Sequence, residues 1–150
     1  MKIIIASDHA GFTLKSKILN NLHKFSFNIT DIGAFSKTPI DYPDIAQKLS
    51  INIISNKFDK GIMICGSGIG ASIACNKFKN IRAGICHDTF SAHQGVEHNN
   101  MNILVMGEGI IGISLAIDIF HTFINSKFMH QSKYIRRLNK IKKIEQIQSY

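Results

Sequence analysis

Apolar and polar positions along this chain switch between two periods. Short β-branched or aliphatic runs at residues 2–7, 27–32, 62–64, 82–86 and 102–106 read as strands, the 62–64 run as one buried in a parallel sheet. Between them the period lengthens to that of a helix. Phe12, Leu14, Ile18, Leu19 and Leu22 mark one helix over residues 12–24, and Ile45, Leu49 and Ile53 mark another over 44–56. Further helices are predicted from Ala71 to about Lys79, over 89–96, and over the long apolar stretch 110–124. Five strands alternating with helices predict an α/β fold: a parallel sheet, right-handed crossovers, and helices on both faces. No internal repeat or linker breaks the pattern, so residues 1–150 are expected to form a single domain. The last segment, 133–150, places Ile135, Leu138, Ile141, Ile144 and Ile147 at every third position against a basic face. That stripe exceeds what one subunit is expected to bury, so the helix is predicted to cross to a partner subunit.

In such a sheet the loops after the strands share one edge, where open α/β proteins bind ligands. Asp8, Cys65, His87 and Gly107 fall there, and Asp8, His9 and Cys65 are expected to line one crevice. The densest punctuation follows the third strand, in Cys65-Gly66-Ser67-Gly68-Ile69-Gly70. Three glycines in five positions bare the backbone amides, which with a following helix N-terminus can face an anion or a developing oxyanion. Packing alone explains such a turn equally well. The spacing matches neither the dinucleotide fingerprint nor a P-loop. Cys65 on the rim would be favoured as thiolate, although a cysteine at a strand end is more often a small buried hydrophobe.

Composition narrows the class. A hydrophobic share of 45% with 19% charged residues describes a globular chain rather than a disordered one. Cys65, Cys75 and Cys86 are odd in number and form no Cys-x-x-Cys pair, which points to a reducing, cytoplasmic setting. The apolar start is cut by Asp8 and His9 too early for a signal peptide, and no apolar run is long enough to span a membrane. The formal net charge is +8, and residues 127–150 hold seven Lys or Arg against one Glu. This basic C-terminal extension could hold nucleic acid or a phosphorylated small molecule, or stay solvated. It lacks the interleaved aromatics of a nucleic-acid surface. Of the seven histidines, His23, His121 and His130 read as structural, and His87 lies beside the crevice. His98 sits in the polar knot Glu97-His98-Asn99-Asn100-Met101-Asn102, poor packing material and good site material. His93 and His98 have no paired cysteine, so no metal is expected. Asp41-Tyr42-Pro43 either turns the chain or reaches the crevice.

Ser7-Asp8-His9-Ala10-Gly11-Phe12, Asp41-Tyr42-Pro43, the Cys65–Gly70 turn, Asn76-Lys77 and His98-Asn99-Asn100-Met101-Asn102 together resemble the ribose-5-phosphate isomerase B family, in order, from residue 2 to about Arg137. The resemblance implies a Rossmann-like three-layer sandwich. It also implies cofactor-free exchange of ribose 5-phosphate and ribulose 5-phosphate through an enediolate. By the same resemblance Cys65 is the base, since Ala71 stands where another branch carries Glu. The loop Gly66, Ser67, Gly68, Ile69 and Gly70 steadies the oxyanion, and His98 opens the furanose ring beside Asp8 and Asn99. His9, Lys133 and Arg137 match phosphate or sugar contacts, with Asp41 and Tyr42 lining the pocket. Homodimers or dimers of dimers with shared active sites are implied as well. The chain departs from the family at Lys133 and Gly109, where arginines are usual, and Glu108 would repel phosphate if it faced inward. A six-carbon substrate, such as allose 6-phosphate or galactose 6-phosphate, is the alternative these departures leave open.

Overall fold

The computed structural model describes residues 1–22 and 26–147. Five strands, β1 (Lys2–Ser7), β2 (Asn28–Asp31), β3 (Lys60–Cys65), β4 (Ala83–Ile85) and β5 (Ile103–Gly107), form one sheet in the order β2-β1-β3-β5-β4. Every pairing is parallel, with Ser7 opposite Ile64 and Cys65 opposite Gly107 at the carboxyl edge. The helices are α1 (Phe12–Leu22), α2 (Tyr42–Ile54), α3 (Ile69–Cys75), α4 (Thr89–Asn99), α5 (Ile113–Asn125) and α6 (Ser132–Ile147).

Alternate residues of the central strands feed two separate cores, as the two-residue period of a strand requires. Ile3, Ile5, Ile62, Ile64, Leu104 and Met106 pack against α1, α4 and α5. Ile4, Ala6, Met63, Cys65, Ile103 and Val105 pack against α2 and α3. The sheet is therefore the middle of three layers. Strand β1 sends its helix to one face and neighbouring β3 sends its helix to the other. Their loops part at that point, which is where a crevice opens in folds of this kind.

Several segment ends differ from the sequence expectation. Helix α2 starts at Tyr42 rather than Asp44, because Pro43 suits a first helical turn, where a missing N–H costs nothing. Helix α3 ends at Cys75, short of Lys79, and α5 begins at Ile113, because residues 108–110 form a turn. Helix α4 runs on through Glu97, His98 and Asn99 and ends where Asn100 adopts a left-handed φ of 50°. His23 and Lys24, and the last three residues of the C-terminal segment, lie outside the described residues.

One buried ion pair fixes the approach to the crevice. Lys15, 1% exposed, donates to Asp31 at 2.6 Å and to the Ala34 carbonyl at 2.7 Å. It ties α1 to the loop after β2. Helix α6 folds back on its own chain, burying Tyr134 and Leu138, while the Asn80 amide donates to Glu145. Ile135, Ile141, Ile144 and Ile147 stay exposed. No helix among the described residues is long and apolar enough to cross a membrane.

Candidate active site

Asp8 and Cys65 meet at the point where the β1 and β3 loops part. The Cys65 thiol donates to Asp8 Oδ2 at 2.8 Å, and Asp8 Oδ1 accepts from the Gly11 amide at 2.9 Å, capping a single 3-10 turn at His9–Gly11. Both residues are nearly closed to solvent, at 3% and 8% exposure. Gly11 permits the approach: a Cβ there would lie 2.3 Å from the Ile64 carbonyl oxygen. His9 Nδ1 lies 3.1 Å from both the amide and the carbonyl of Ile40, joining the β1 loop to the segment before α2.

The glycine loop wraps the thiol from the other side. Gly68 takes a φ of +86°, which turns the chain into α3. Gly70 lies under the Tyr42 ring, where an added Cβ would come within 2.5 Å of Cζ. That contact brings Tyr42 and the exposed Asp41 to the same rim. The amides of Gly66 and Gly68 face the sulfur and favour its thiolate. The expectation that the loop makes Cys65 a thiolate is nevertheless overturned. Burial first, then the Asp8 carboxylate, push the thiol up to about 11. Both disfavour negative charge on sulfur, and together they outweigh the two amides.

Burial also pushes Cys75 up to about 11 and Cys86 up to about 12, from an ordinary value of 9.0. A folded-state value above the unfolded one holds stability below pH 9.0 and loses it as pH rises through the folded value, because the unfolded chain gives up its protons first. The urea midpoint should therefore fall between pH 9.0 and about 12. Replacing the three cysteines by alanine should flatten that fall; an equal fall in the replaced protein would assign it to other groups.

The β5 loop closes the third side. Glu108 and Gly109 donate from their amides to the carbonyls of Cys65 and Gly66 at 2.8 and 2.9 Å, and the Gly107 amide donates to His87 Nε2 at 3.1 Å. Glu108 does not turn its carboxylate on the crevice. Oε2 accepts from the Leu14 amide at 2.8 Å, satisfying an open donor in the first turn of α1. Gly109, where the family usually carries arginine, stands beside Gly66.

His98 is elsewhere. Helix α4 leaves the carboxyl edge at Thr89 and returns the chain to the amino edge, where Asn102 accepts from the Arg82 and Gly61 amides ahead of β4 and within β3. At 1.5 Å per residue, the helix carries His98 about 14 Å along the strands, away from Cys65. There its Nε2 lies 2.8 Å from the Tyr134 hydroxyl, with the two rings stacked at 4.2 Å. Lys133 Nζ sits 4.7 Å over the same Tyr134 ring, and Arg137 follows on the exposed face of α6. Asn99 lines a groove of about 460 Å³ between β4, α4 and α6. The expected site residues thus fall in two separate groups on one chain. Asp8, His9, Asp41, Tyr42, Cys65 and the loop residues Gly66–Gly70 form one; His98, Asn99, Lys133 and Arg137 belong to the other. Tyr134, the residue that holds His98, escaped the sequence reading because a tyrosine on a basic helix carries no spacing signal. Of the histidines read as structural, His121 packs against Phe27 and Phe120, and His130 against Phe128.

Comparison with known proteins decides the family. A family model described as Ribose/Galactose Isomerase matches residues 3–141. The chain belongs to the ribose/galactose isomerase family. It is a sugar-phosphate isomerase. The solved ribose-5-phosphate isomerase B of Clostridium thermocellum superposes with a TM-score of 0.95 at 40% identity, covering 99% of this chain and 100% of that one. A ribose-5-P isomerase B of Listeria innocua is 39% identical over 128 residues, 85% of this chain and 86% of its own length. A D-erythrulose-4-phosphate isomerase of Pectobacterium atrosepticum is 36% identical over 130 residues, 85% of each.

Proposed function

We propose that this chain interconverts ribose 5-phosphate and ribulose 5-phosphate as a homodimer or dimer of dimers whose active sites each combine the two half-sites. The buried thiol at the parting of the β1 and β3 loops, beneath the amides of Gly66 and Gly68, is the observation that carries the reading. A base with adjacent oxyanion donors is what enolisation next to a carbonyl requires. The separation of His98 from Cys65 within one chain supports a shared site, because a second copy can supply the missing half. His98 of the partner subunit moves the proton that opens the furanose ring, with Asp8 and Asn99 holding the sugar hydroxyls.

Cys65 then takes the C2 proton of the open aldose. The negative charge settles on the enediolate oxygen among the Gly66, Ser67, Gly68, Ile69 and Gly70 amides; the O2 hydroxyl proton passes to O1, and the proton taken from C2 returns to C1. His9 and the basic residues Lys133 and Arg137 hold the phosphate, with Asp41 and Tyr42 closing the sugar pocket. No metal, redox cofactor or nucleic acid enters this reading. The exposed face of α6 joins the copies.

The test is turnover on four-, five- and six-carbon aldose phosphates, with and without EDTA. The five-carbon substrate is expected to give the highest kcat/KM, unchanged by EDTA. A clear preference for the four-carbon sugar, in keeping with the D-erythrulose-4-phosphate isomerase relative, or for a six-carbon one, would replace the substrate and keep the chemistry.

Gly109 bears on that choice. An arginine at this position would reach from the rim of Gly66 towards a bound phosphate, its Cβ 3.2 Å from the Gly66 carbonyl oxygen, so the loop must give slightly. A charged hydrogen bond contributes roughly 1.5–3 kcal/mol and would act on substrate and transition state alike. Gly109→Arg should therefore lower KM for ribose 5-phosphate about tenfold with little change in kcat. A KM that stays level or rises would mean the phosphate does not lie at this corner.

A further inference from the structure

The Cys65–Asp8 contact poses a question the proposed reaction leaves open: how a thiol held protonated becomes a base. Each oxygen of the carboxylate already accepts one hydrogen bond. Oδ1 is fixed by the Gly11 amide at 2.9 Å, and Oδ2 receives the thiol at 2.8 Å. The backbone forbids the pair to separate. The Asp8 amide donates to the Ile64 carbonyl at 3.2 Å, one residue before Cys65, and Gly11 is packed on that same carbonyl. With Asp8 3% exposed and Cys65 8% exposed, bulk water is a poor exchange partner for this proton. Across the described residues no other acid or base is in contact with the sulfur.

We propose that Asp8 is the acceptor of the Cys65 proton, a positioning residue that holds the thiol protonated at rest and takes its proton to form the thiolate. In that step the S–H bond breaks, an O–H bond forms at Oδ2, and the negative charge moves from carboxylate to sulfur. The Gly66 and Gly68 amides face the sulfur and receive that charge. Within the proposed isomerisation, on which this part rests, the thiolate removes the C2 proton and becomes a thiol while the enediolate carries the charge. The same proton passes to C1 while the hydroxyl proton on O2 moves to O1, leaving C2 as the carbonyl, and Asp8 then returns its own to sulfur. Protons and charge balance without an outside donor. Because only the thiolate is readily alkylated or oxidised, the resting pair also shields the base.

The test reads the thiol directly. Asp8→Asn keeps the shape and an acceptor for the Gly11 amide but removes the charge and the capacity to take a proton. Alkylation of Cys65 by iodoacetamide, followed on the Cys65 peptide by mass spectrometry across pH, should show its midpoint about one pH unit or more lower in Asp8→Asn. That corresponds to about tenfold faster labelling near neutrality. kcat on ribose 5-phosphate should fall at the same time, although the thiol is more ionised, because the proton has lost its acceptor. A merely structural Asp8 would not combine faster labelling with slower turnover. An unchanged or raised midpoint would overturn the proposal.

If Asp8→Asn does not fold, the ultraviolet thiolate absorbance of the wild-type chain, less that of Cys65→Ser, serves instead. A midpoint above 9.0 is expected, and one below that ordinary value would overturn the pairing. A wild-type chain inactive on every sugar phosphate would sink the proposed reaction alone. The labelling midpoint would still decide the proton pairing.

Discussion

Cys65→Ala is expected to remove isomerase turnover while the fold survives. A general base contributes roughly 10²–10⁴-fold, and in the proposed reaction Cys65 is the group that takes the C2 proton. The Asp8 carboxylate would face the vacated space, with one oxygen held in place by the Gly11 amide. The structural cost is small. The side chain loses one sulfur at the edge of the α2–α3 core, and truncations of that size cost on the order of 1 kcal/mol. Circular dichroism and the urea midpoint should stay close to wild type as kcat collapses. Cys65→Ser sharpens the result, since it preserves a donor to Asp8 but raises the barrier to ionisation far beyond that of a thiol. It should be nearly as inactive as alanine. Substantial turnover in Cys65→Ala would remove the cysteine from the mechanism.

The central strands β1, β3 and β5 were legible because burial on both faces leaves an almost unbroken apolar run. The helical faces were legible because each must match one of the two cores. Helix ends were less so, because they depend on contacts remote in sequence. Residues 108–110 turn rather than coil into α5, as the Glu108 and Gly109 amides are drawn to Cys65 and Gly66. The first half of the polar knot around His98, residues 97–99, is helix, since Asn100 absorbs the left-handed angle that ends it.

At the site, the glycine loop announced itself through residues that must be small: Gly68 for its φ and Gly70 for the Tyr42 ring. The acidity of Cys65 could not be read the same way. Local sequence supplies the amides that favour thiolate, whereas burial and Asp8, 57 positions away, decide the balance. Nor does a motif list say that Cys65 and His98 lie at opposite edges of the sheet. That follows only from the direction in which α4 runs.

The opposite-edge geometry yields the second large expected effect. Cys65→Ala lacks a working residue in the Asp8 half-site, and His98→Asn lacks one in the other. Each variant alone should be nearly inactive on cyclic ribose 5-phosphate. His98→Asn should retain more activity on ribulose 5-phosphate, which cannot close to a furanose and needs no ring opening. If each site takes its two halves from different copies, mixed dimers of the two variants contain one site with both defects and one with neither. Random reassortment makes half the dimers mixed, each with one intact site of two, so co-expression or refolding together should restore about a quarter of wild-type turnover. Sites built within one chain predict no recovery, because every chain would carry one defect. Separately purified variants, mixed without reassortment, provide the control. Activity that stays at the level of the single variants after verified exchange would show that His98 and Cys65 do not serve one shared site.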